Sequence, residues 1–591
     1  MSNIEKRIFS IRQFMFEKGL SAFIVPTTDP HLSEYPASHW ESRIWISGFT
    51  GSAGTVAITQ EKVGLWTDSR YFLQAAEELR GTNIKLFREG LPETPTIDEW
   101  LISELDKESS VGINGEVYAA KEARSLTHRL NTKGLHLITD YDPFASIWHD
   151  RPEIPKNSIF ILPEIYTGEA TQSKIKRICL QLEEKGAESL LVASLDTIAW
   201  IFNIRGNDVK CNPVAVSYAY ISKEETVLFI DPKKVSTEVA EYLTSQGVIL
   251  ADYSKIYDFA SKLKGSVCLN SEKVSFRLYN SLSKDCRIID ILSPADLMKA
   301  QKNKVEIQGF RNAMERDGVA LIQFFIWLEQ AIRQENVEEL DIPKKLIEYR
   351  SKQQHFVGES FDTIAGYGPN GAIVHYHVTP ESSLRIKSEG LLLIDSGAQY
   401  FDGTTDITRT IAVGNLTDEM KEDYTLVLKG HINLATAIFP QGTRGSQLDI
   451  LARKALWEKG LNYLHGTGHG IGHFLNVHEG PQSIRMNENP TTLEIGMVTS
   501  NEPGLYRANK YGIRIENLIL TRMEKSTEFG NFYSFETLTL CPIDTTPIIR
   551  ELLTDKEVEW LNLYHKYVYD RLSPLLSENE KQWLKVKTNE I

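Results

Sequence analysis

The chain has 591 residues, 41% hydrophobic and 24% charged, a composition ordinary for a folded protein of several domains. Its formal net charge of −14 and the lack of a long basic run argue against nucleic acid or an anionic membrane as a main partner. Five cysteines (Cys179, Cys211, Cys268, Cys286 and Cys541) without CxxC spacing indicate neither a disulfide framework nor a thiolate metal site, and a reducing cytoplasm is the expected location.

Residues 3–17 read as a short amphipathic helix ended by Gly19, without the apolar core of a signal peptide. The apolar strand Ala22–Val25 follows, then the polar loop PTTDPHLSEYPASHWES, the segment IWISGF and a glycine-rich turn at Gly51–Gly54. TVAIT and VGLWTDSRY look like strands leading into a helix. No GK[ST] follows the glycines, so a tight turn between two strands is expected rather than a phosphate cradle.

A similar order returns from about residue 171: a charged helix (TQSKIKRICLQLEEKG), the strand Ser189–Val192, AWIFNIRG, VAVSYAYI and ETVLFID. Lys18-Gly19 matches Lys185-Gly186, Ile44–Phe49 matches Ile198–Ile204, and Leu65–Asp68 matches Phe229–Asp231. Residues 1–150 and 155–298 are therefore expected to be diverged copies of one α/β domain, separated by the proline-marked HDRPEIPKNS. Neither copy holds a dense cluster of His, Asp, Glu or Cys, so scaffolding is the expected role.

A third domain, residues 300–591, opens near Ala300. Phe310, Met314, Leu321, Phe325, Leu328 and Ile332 recur at the spacing of one face of a long helix. Its most apolar stretch, Val319–Leu328, is too short to span a bilayer. A second helix (IPKKLIEYRSKQ) and strand-like segments follow, then helices at roughly 418–438 and 446–459. Thr554 with Glu557 forms a capping box at the start of a C-terminal helix rich in Trp and Tyr, which suits packing or a subunit contact.

The chemistry concentrates in this third domain. In LLLIDSGAQYFDGTTDITR, Leu391–Ile394 deliver Asp395, and Asp406 follows eleven residues on. Fully extended, the two acids would be about 36 Å apart on opposite faces. Asp402-Gly403 is a turn signal, so the chain is expected to double back and bring them together. Asp406, Thr408 and Thr410 then share a strand face. Buried carboxylates side by side repel unless a cation lies between them; the alternative is a hairpin with incidental polar flanks.

Four of the fourteen histidines fall in HGTGHGIGHFLNVHEG, at 465, 469, 473 and 478. Glycines at 466, 468, 470 and 472 disfavour a helix, so this is not the HExxH helix of a zinc protease. One metal ligand with one or two hydrogen-bonding histidines is a reasonable division; a glycine-rich surface loop is the other reading. Glu502, in SNEPG, is expected at a strand end. Glu516 is expected in the strand YGIRIENLIL, where burial without a partner would be costly. Arg514 offers a purely structural alternative as that partner. With His469, these acids make four carboxylates and one imidazole, and their charge of −4 is matched by two divalent cations. Hard oxygen donors with a single imidazole suit Mn²⁺, Fe²⁺, Co²⁺ or Zn²⁺ without selecting among them.

In order and with these flanks, Asp395, Asp406, His469, Glu502 and Glu516 resemble the ligand set of the pita-bread metallopeptidases. SGFTGSAGT, WTDSRYFLQAA, GPNGAIVHY, DSGAQYFDGTTDITRT, LHGTGHGIG, FLNVHEGP and YGIRIEN are similar to the long, three-domain cytosolic aminopeptidase P type, over nearly all the chain. The resemblance implies two α/β domains followed by a pita-bread domain, and a dinuclear centre that activates a hydroxide to remove an N-terminal residue preceding proline. It implies Asp406 and Glu516 as bridging ligands, Asp395 completing one metal, and His469 with Glu502 completing the other, with Glu502 also accepting a proton. Mn²⁺ is the first choice, with Zn²⁺, Co²⁺ or Fe²⁺ as alternatives. It also implies His375 and His478 as catalytic residues that bind substrate and stabilise the tetrahedral intermediate, and Phe361, His465 and Arg514 lining a proline pocket. The expected partners are peptides with proline second and a second copy in a homodimer. His377 and His473 have no assigned role. A prolidase acting on Xaa-Pro dipeptides is the enzymatic alternative, and a metal-free pita-bread binding protein the other.

Overall fold

The computed structural model describes residues 2–591, which form two compact units: the described residues up to 162 with 169–295, and residues 163–168 with 296–591. The first unit contains two six-stranded sheets of the same design. One runs Ile84–Arg88, Val63–Thr67, Thr55–Thr59, Ala22–Pro26, Ser110–Ile113, His136–Ile138. The other runs Val248–Ala251, Thr226–Ile230, Ser217–Ser222, Ser189–Val192, Gly265–Leu269, Cys286–Asp290. In both, the central strand has an antiparallel neighbour on one side and a parallel one on the other. The matched segments Ile44–Phe49 and Ile198–Ile204 fall on equivalent helices, Ser42–Ser47 and Leu195–Phe202.

The halves meet through reciprocal bonds between equivalent residues. Lys121 N donates to Ser271 O (3.0 Å) while Arg277 N donates to Gly115 O (2.8 Å). Ala120 N donates to Val274 O (3.0 Å) while Phe276 N donates to Tyr118 O (2.7 Å). The ion pairs Lys121–Glu272 and Arg277–Glu116 repeat the pattern. Each pair is related by the same offset in sequence, which is the signature of a two-fold, self-complementary contact.

Gly51–Gly54 is a turn between the helix Ser42–Ser47 and the strand Thr55–Thr59, not between two strands. A Cβ at Gly51 would come within 2.3 Å of the Phe49 ring, and the carbonyls of Phe49 and Gly51 accept from buried Arg43. The loop turns its carbonyls inward onto a cation, the opposite of an anion cradle.

In the second unit the long helix Lys304–Arg333 starts at a capping box formed by Asn303 and Glu306. Phe310, Met314, Leu321, Phe325, Leu328 and Ile332 are all buried, as their spacing predicts. Behind it stands a three-stranded antiparallel sheet, Ile364–Tyr367, Leu391–Ser396 and Ile407–Ala412. A six-stranded sheet includes Gly468–Gly470, Glu479–Ile484, Val498–Asn501 and the hairpin Asn517–Thr527 with Gly530–Thr537. The helices Asp418–Ala435, Gly445–Trp457 and Asp555–Leu572 supply buried residues to the same core as these strands. Thr554 and Glu557 form the expected capping box. All five cysteines are free, and no helix among the described residues is long and apolar enough to cross a membrane.

Candidate metal centre

The hairpin that carries the two aspartates doubles back as its turn residues imply. Asp395 lies opposite Thr408 on the partner strand, so Asp406 is its diagonal neighbour on the same face. The tip is Phe401-Asp402 rather than Asp402-Gly403, because Gly403 already pairs with Tyr400. The Asp402 carboxylate is drawn off the turn by Arg316. Between the two acids Gly397 has no room for a Cβ, which would meet Ser360 Oγ and Thr405 O at 2.1 Å and the Phe361 ring at 2.9 Å. Phe361 is thereby held half-buried beside the aspartate hairpin.

Glu516 departs from the sequence expectation. It does not sit inside one strand: Tyr511–Arg514 pairs with Gly504–Arg507, and Asn517–Thr527 pairs with Val498–Asn501. At Ile515 and Glu516 the chain changes partner, and Glu516 N donates to Thr408 O at 3.1 Å. That crossing brings the glutamate to the aspartate hairpin, where Thr408 Oγ1 donates to Glu516 Oε2 at 2.7 Å. Nor is Arg514 the hydrogen-bonded partner of Glu516. Its guanidinium donates to Asp395 Oδ2 (2.6 Å), Thr408 Oγ1 (3.1 Å), Tyr506 Oη (2.6 Å) and Val374 O (3.4 Å). The last of these holds the backbone next to His375.

His469 and Glu502 complete the cluster. His469 Nδ1 donates to the Gly470 carbonyl at 3.0 Å, which leaves the Nε2 lone pair facing Asp406 Oδ2 at 3.6 Å and Glu502 Oε1 at 3.3 Å. A carbonyl fixing the far nitrogen is the usual support of a metal-ligating histidine. Ser500 Oγ accepts from His469 N (2.9 Å) and donates to Glu502 Oε1 (3.0 Å), so one hydroxyl sets both residues. Donor atoms of Asp406, His469 and Glu516 lie within 4.8 Å of one another. His478 packs edge-on to His469, ring centroids 4.3 Å apart, and His465 Nε2 meets Tyr506 Oη at 2.9 Å. His377 is exposed, and His473 is buried against Phe310 at 5.6 Å.

The electrostatics fit a cation site. Burial, reinforced by Asp395 and Glu502, pushes the Asp406 carboxyl well above its ordinary range. Burial, with Asp406, Glu502 and Asp395, does the same to Glu516. Burial raises Glu502 to about 7, against the pull of Arg514. Asp395 Oδ1 is buried without a hydrogen-bond partner. Such a cluster must hold either protons or cations. Four carboxylates and one imidazole, with a buried oxygen left over and a histidine nitrogen aimed inward, suit hard divalent metals.

Known proteins resemble this chain over its whole length. The family model described as metallopeptidase family M24 matches residues 308–522, and that of the C-terminal region of M24 peptidases matches 531–591. Two models of the creatinase/prolidase N-terminal domain match 7–142 and 150–306. A protein of Laccaria bicolor named probable Xaa-Pro aminopeptidase P is 41% identical over 99% of this chain and 93% of its own length. The chain belongs to the Xaa-Pro aminopeptidase P group of metallopeptidase family M24. Xaa-Pro aminopeptidase 1 of Dictyostelium discoideum is 40% identical over 98% of this chain and 96% of its own. A solved X-prolyl aminopeptidase of Caenorhabditis elegans, described as a cytosolic enzyme with a di-nuclear active site, superposes over all of both chains with a TM-score of 0.95 at 34% identity. An Xaa-Pro dipeptidase of Bacillus anthracis shares the fold over 64% of this chain and all of its own, with a TM-score of 0.51 at 24% identity.

Some residues of this M24 site escape a reading by type and spacing. Thr408 ties Glu516 to Arg514, and Ser500 ties His469 to Glu502. Arg409, buried one residue later, donates to the carbonyls of Glu516 (2.6 Å), Cys541 (2.7 Å) and Pro542 (2.9 Å). Thr408 and Ser500 stand at regular offsets from Asp406 and Glu502, which is a usable signal. Arg409 has none, because all its partners but the adjacent Thr408 carbonyl lie more than a hundred residues away.

Proposed function

We propose that this chain is a dinuclear metallo-aminopeptidase that hydrolyses the bond between an N-terminal residue and a following proline. The observation that carries the reading is the convergence of Asp395, Asp406, His469, Glu502 and Glu516, with Asp395 Oδ1 buried without a hydrogen-bond partner and His469 Nε2 facing Asp406 and Glu502. The relatives' names support the substrate class, and the description of the nematode enzyme supports two ions and a cytosolic location. Asp395, Asp406, His469, Glu502 and Glu516 would together hold two divalent ions, Mn²⁺ first among Zn²⁺, Co²⁺ and Fe²⁺. When bound, such a pair supplies Lewis acidity, making water acidic and stabilising negative charge on a carbonyl oxygen.

The chain's own residues do the rest. Glu502 takes the proton of the attacking water as the oxygen adds to the carbonyl carbon. As the C–N bond breaks, the same carboxyl returns that proton to the proline nitrogen. His478 and His375 hold the carbonyl oxygen as it gains charge. Proline has no N–H, so its pocket needs an apolar slot rather than an acceptor, and Phe361 with the ring face of His465 supplies one.

Arg514 favours an aminopeptidase over a dipeptidase. A dipeptidase gains from a cation free to take the substrate's terminal carboxylate, but this guanidinium is already bonded to Asp395, Thr408, Tyr506 and Val374. Initial rates on an Xaa-Pro dipeptide, an Xaa-Pro-Yaa tripeptide and the tripeptide amide test the reading. The tripeptide and its amide are expected to be cleaved at similar rates and much faster than the dipeptide. A strict requirement for the free dipeptide carboxylate would identify a prolidase instead. A homodimer is the proposed assembly, with nucleic acid and membrane outside its partners.

A further inference from the structure

A buried histidine outside the ligand set ties together the two backbone segments that deliver Glu502 and Glu516. His431 lies on the helix Asp418–Ala435 and is fully buried. Asn501 and Asn517 face each other as a register pair at the end of their strands; one immediately precedes Glu502, the other immediately follows Glu516. His431 spans that last rung. Its Nδ1 donates to the Asn501 carbonyl at 3.1 Å, and Asn517 Nδ2 donates to its Nε2 at 3.1 Å. Asn501 Nδ2 returns a bond to the His431 carbonyl at 2.9 Å.

The backbone at Ile515 also bonds to the ring. The Asn501 carbonyl can only accept, so the ring proton sits on Nδ1. The Asn517 amide cannot flip, because its Oδ1 accepts from Arg409 at 2.8 Å. Trp560 closes the ring's other side, edge-on at 5.9 Å. Burial pushes the imidazole down to about 3, so the neutral tautomer persists.

Glu502 and Glu516 repel each other, and each sits where its strand has just ended or has not yet begun. A single rung of main-chain bonds resists that repulsion weakly. We propose that His431 is a positioning residue for the metal centre, the strut that sets the separation of Glu502 and Glu516. Its side-chain bonds run to Asn501 and Asn517, not to the five proposed ligands. The inference rests on the metal-centre reading given above.

The test is calorimetric titration of metal-stripped protein with Mn²⁺, comparing wild type, His431→Phe and His431→Gln. Circular dichroism and melting of the metal-free forms accompany it. His431→Phe keeps the ring volume and removes both side-chain bonds, so Mn²⁺ binding is expected to weaken by about ten- to a hundredfold. His431→Gln can serve one partner but not span both, so an intermediate loss is expected. A residue that only packs would lower the metal-free melting temperature and leave affinity untouched. Should the Phe variant fail to fold, the Gln variant decides alone. Affinity within about twofold of wild type in a folded variant overturns the strut. Failure of wild type to bind Mn²⁺ would instead overturn the metal reading itself.

Discussion

Glu516 is bonded by Thr408, crowded by Asp406 and Glu502, and delivered by a change of strand partner. Glu516→Gln keeps the volume and removes the charge. It is expected to abolish metal retention and lower turnover of an Xaa-Pro-Yaa peptide by more than about a hundredfold, with an unchanged circular dichroism spectrum. Metal content by mass spectrometry and initial rates check this; near-normal turnover at saturating metal would make Glu516 structural. Glu502 gives a pH prediction. In the metal-free protein its carboxyl is raised from 4.5 to about 7, so its contribution to stability is present below about 4.5 and is lost as pH rises through about 7. Metal-free protein should therefore lose melting temperature across that window relative to the metal-loaded form. Parallel curves for the two forms would contradict it. The five candidate ligands, which the fold brings together, stand out in the sequence because acids in apolar strands and histidines among glycines are costly without a purpose. The hydroxyls of Thr408 and Ser500 are signalled only by their two-residue offsets from Asp406 and Glu502, since Thr and Ser are common in strands for other reasons.

At the scale of elements, Arg409 links the aspartate hairpin to the C-terminal segment. It bonds the carbonyls of Thr408, Glu516, Cys541 and Pro542, the amide of Asn517 and the hydroxyl of Tyr564. Arg409→Leu strands several buried acceptors at once and is expected to cost about 3 kcal/mol or more of stability. Urea unfolding measures it, and a loss below about 1 kcal/mol would show that the acceptors find other donors. The hairpin and the long helix were legible because local period and turn chemistry specify them. The break at Ile515–Glu516 was not. YGIRIENLIL alternates like one strand, and only the distant Thr408 and Val498–Asn501 divide it into two pairings. The Gly51–Gly54 turn failed in a smaller way: IWISGF is short enough to suit helix or strand, and packing made it a helix.

At the scale of the molecule, the repeat visible in the first half of the chain became two sheets of one topology joined by reciprocal bonds. Sequence similarity could suggest the copies but not their two-fold contact, which depends on which residues become edges. The second half holds the chemistry. The five proposed ligands come from two sheets and the crossing between them, so ion binding there would be thermodynamically linked to the folding of this unit. Titrating metal-stripped protein with Mn²⁺ while following cleavage of an Xaa-Pro-Yaa peptide tests that centre most directly. A dinuclear centre selective for proline gives no turnover without metal, a rise that saturates at two equivalents per chain, and no cleavage of the matching Xaa-Ala-Yaa peptide. Full turnover in demonstrably metal-free protein, or none at saturating metal, would contradict it.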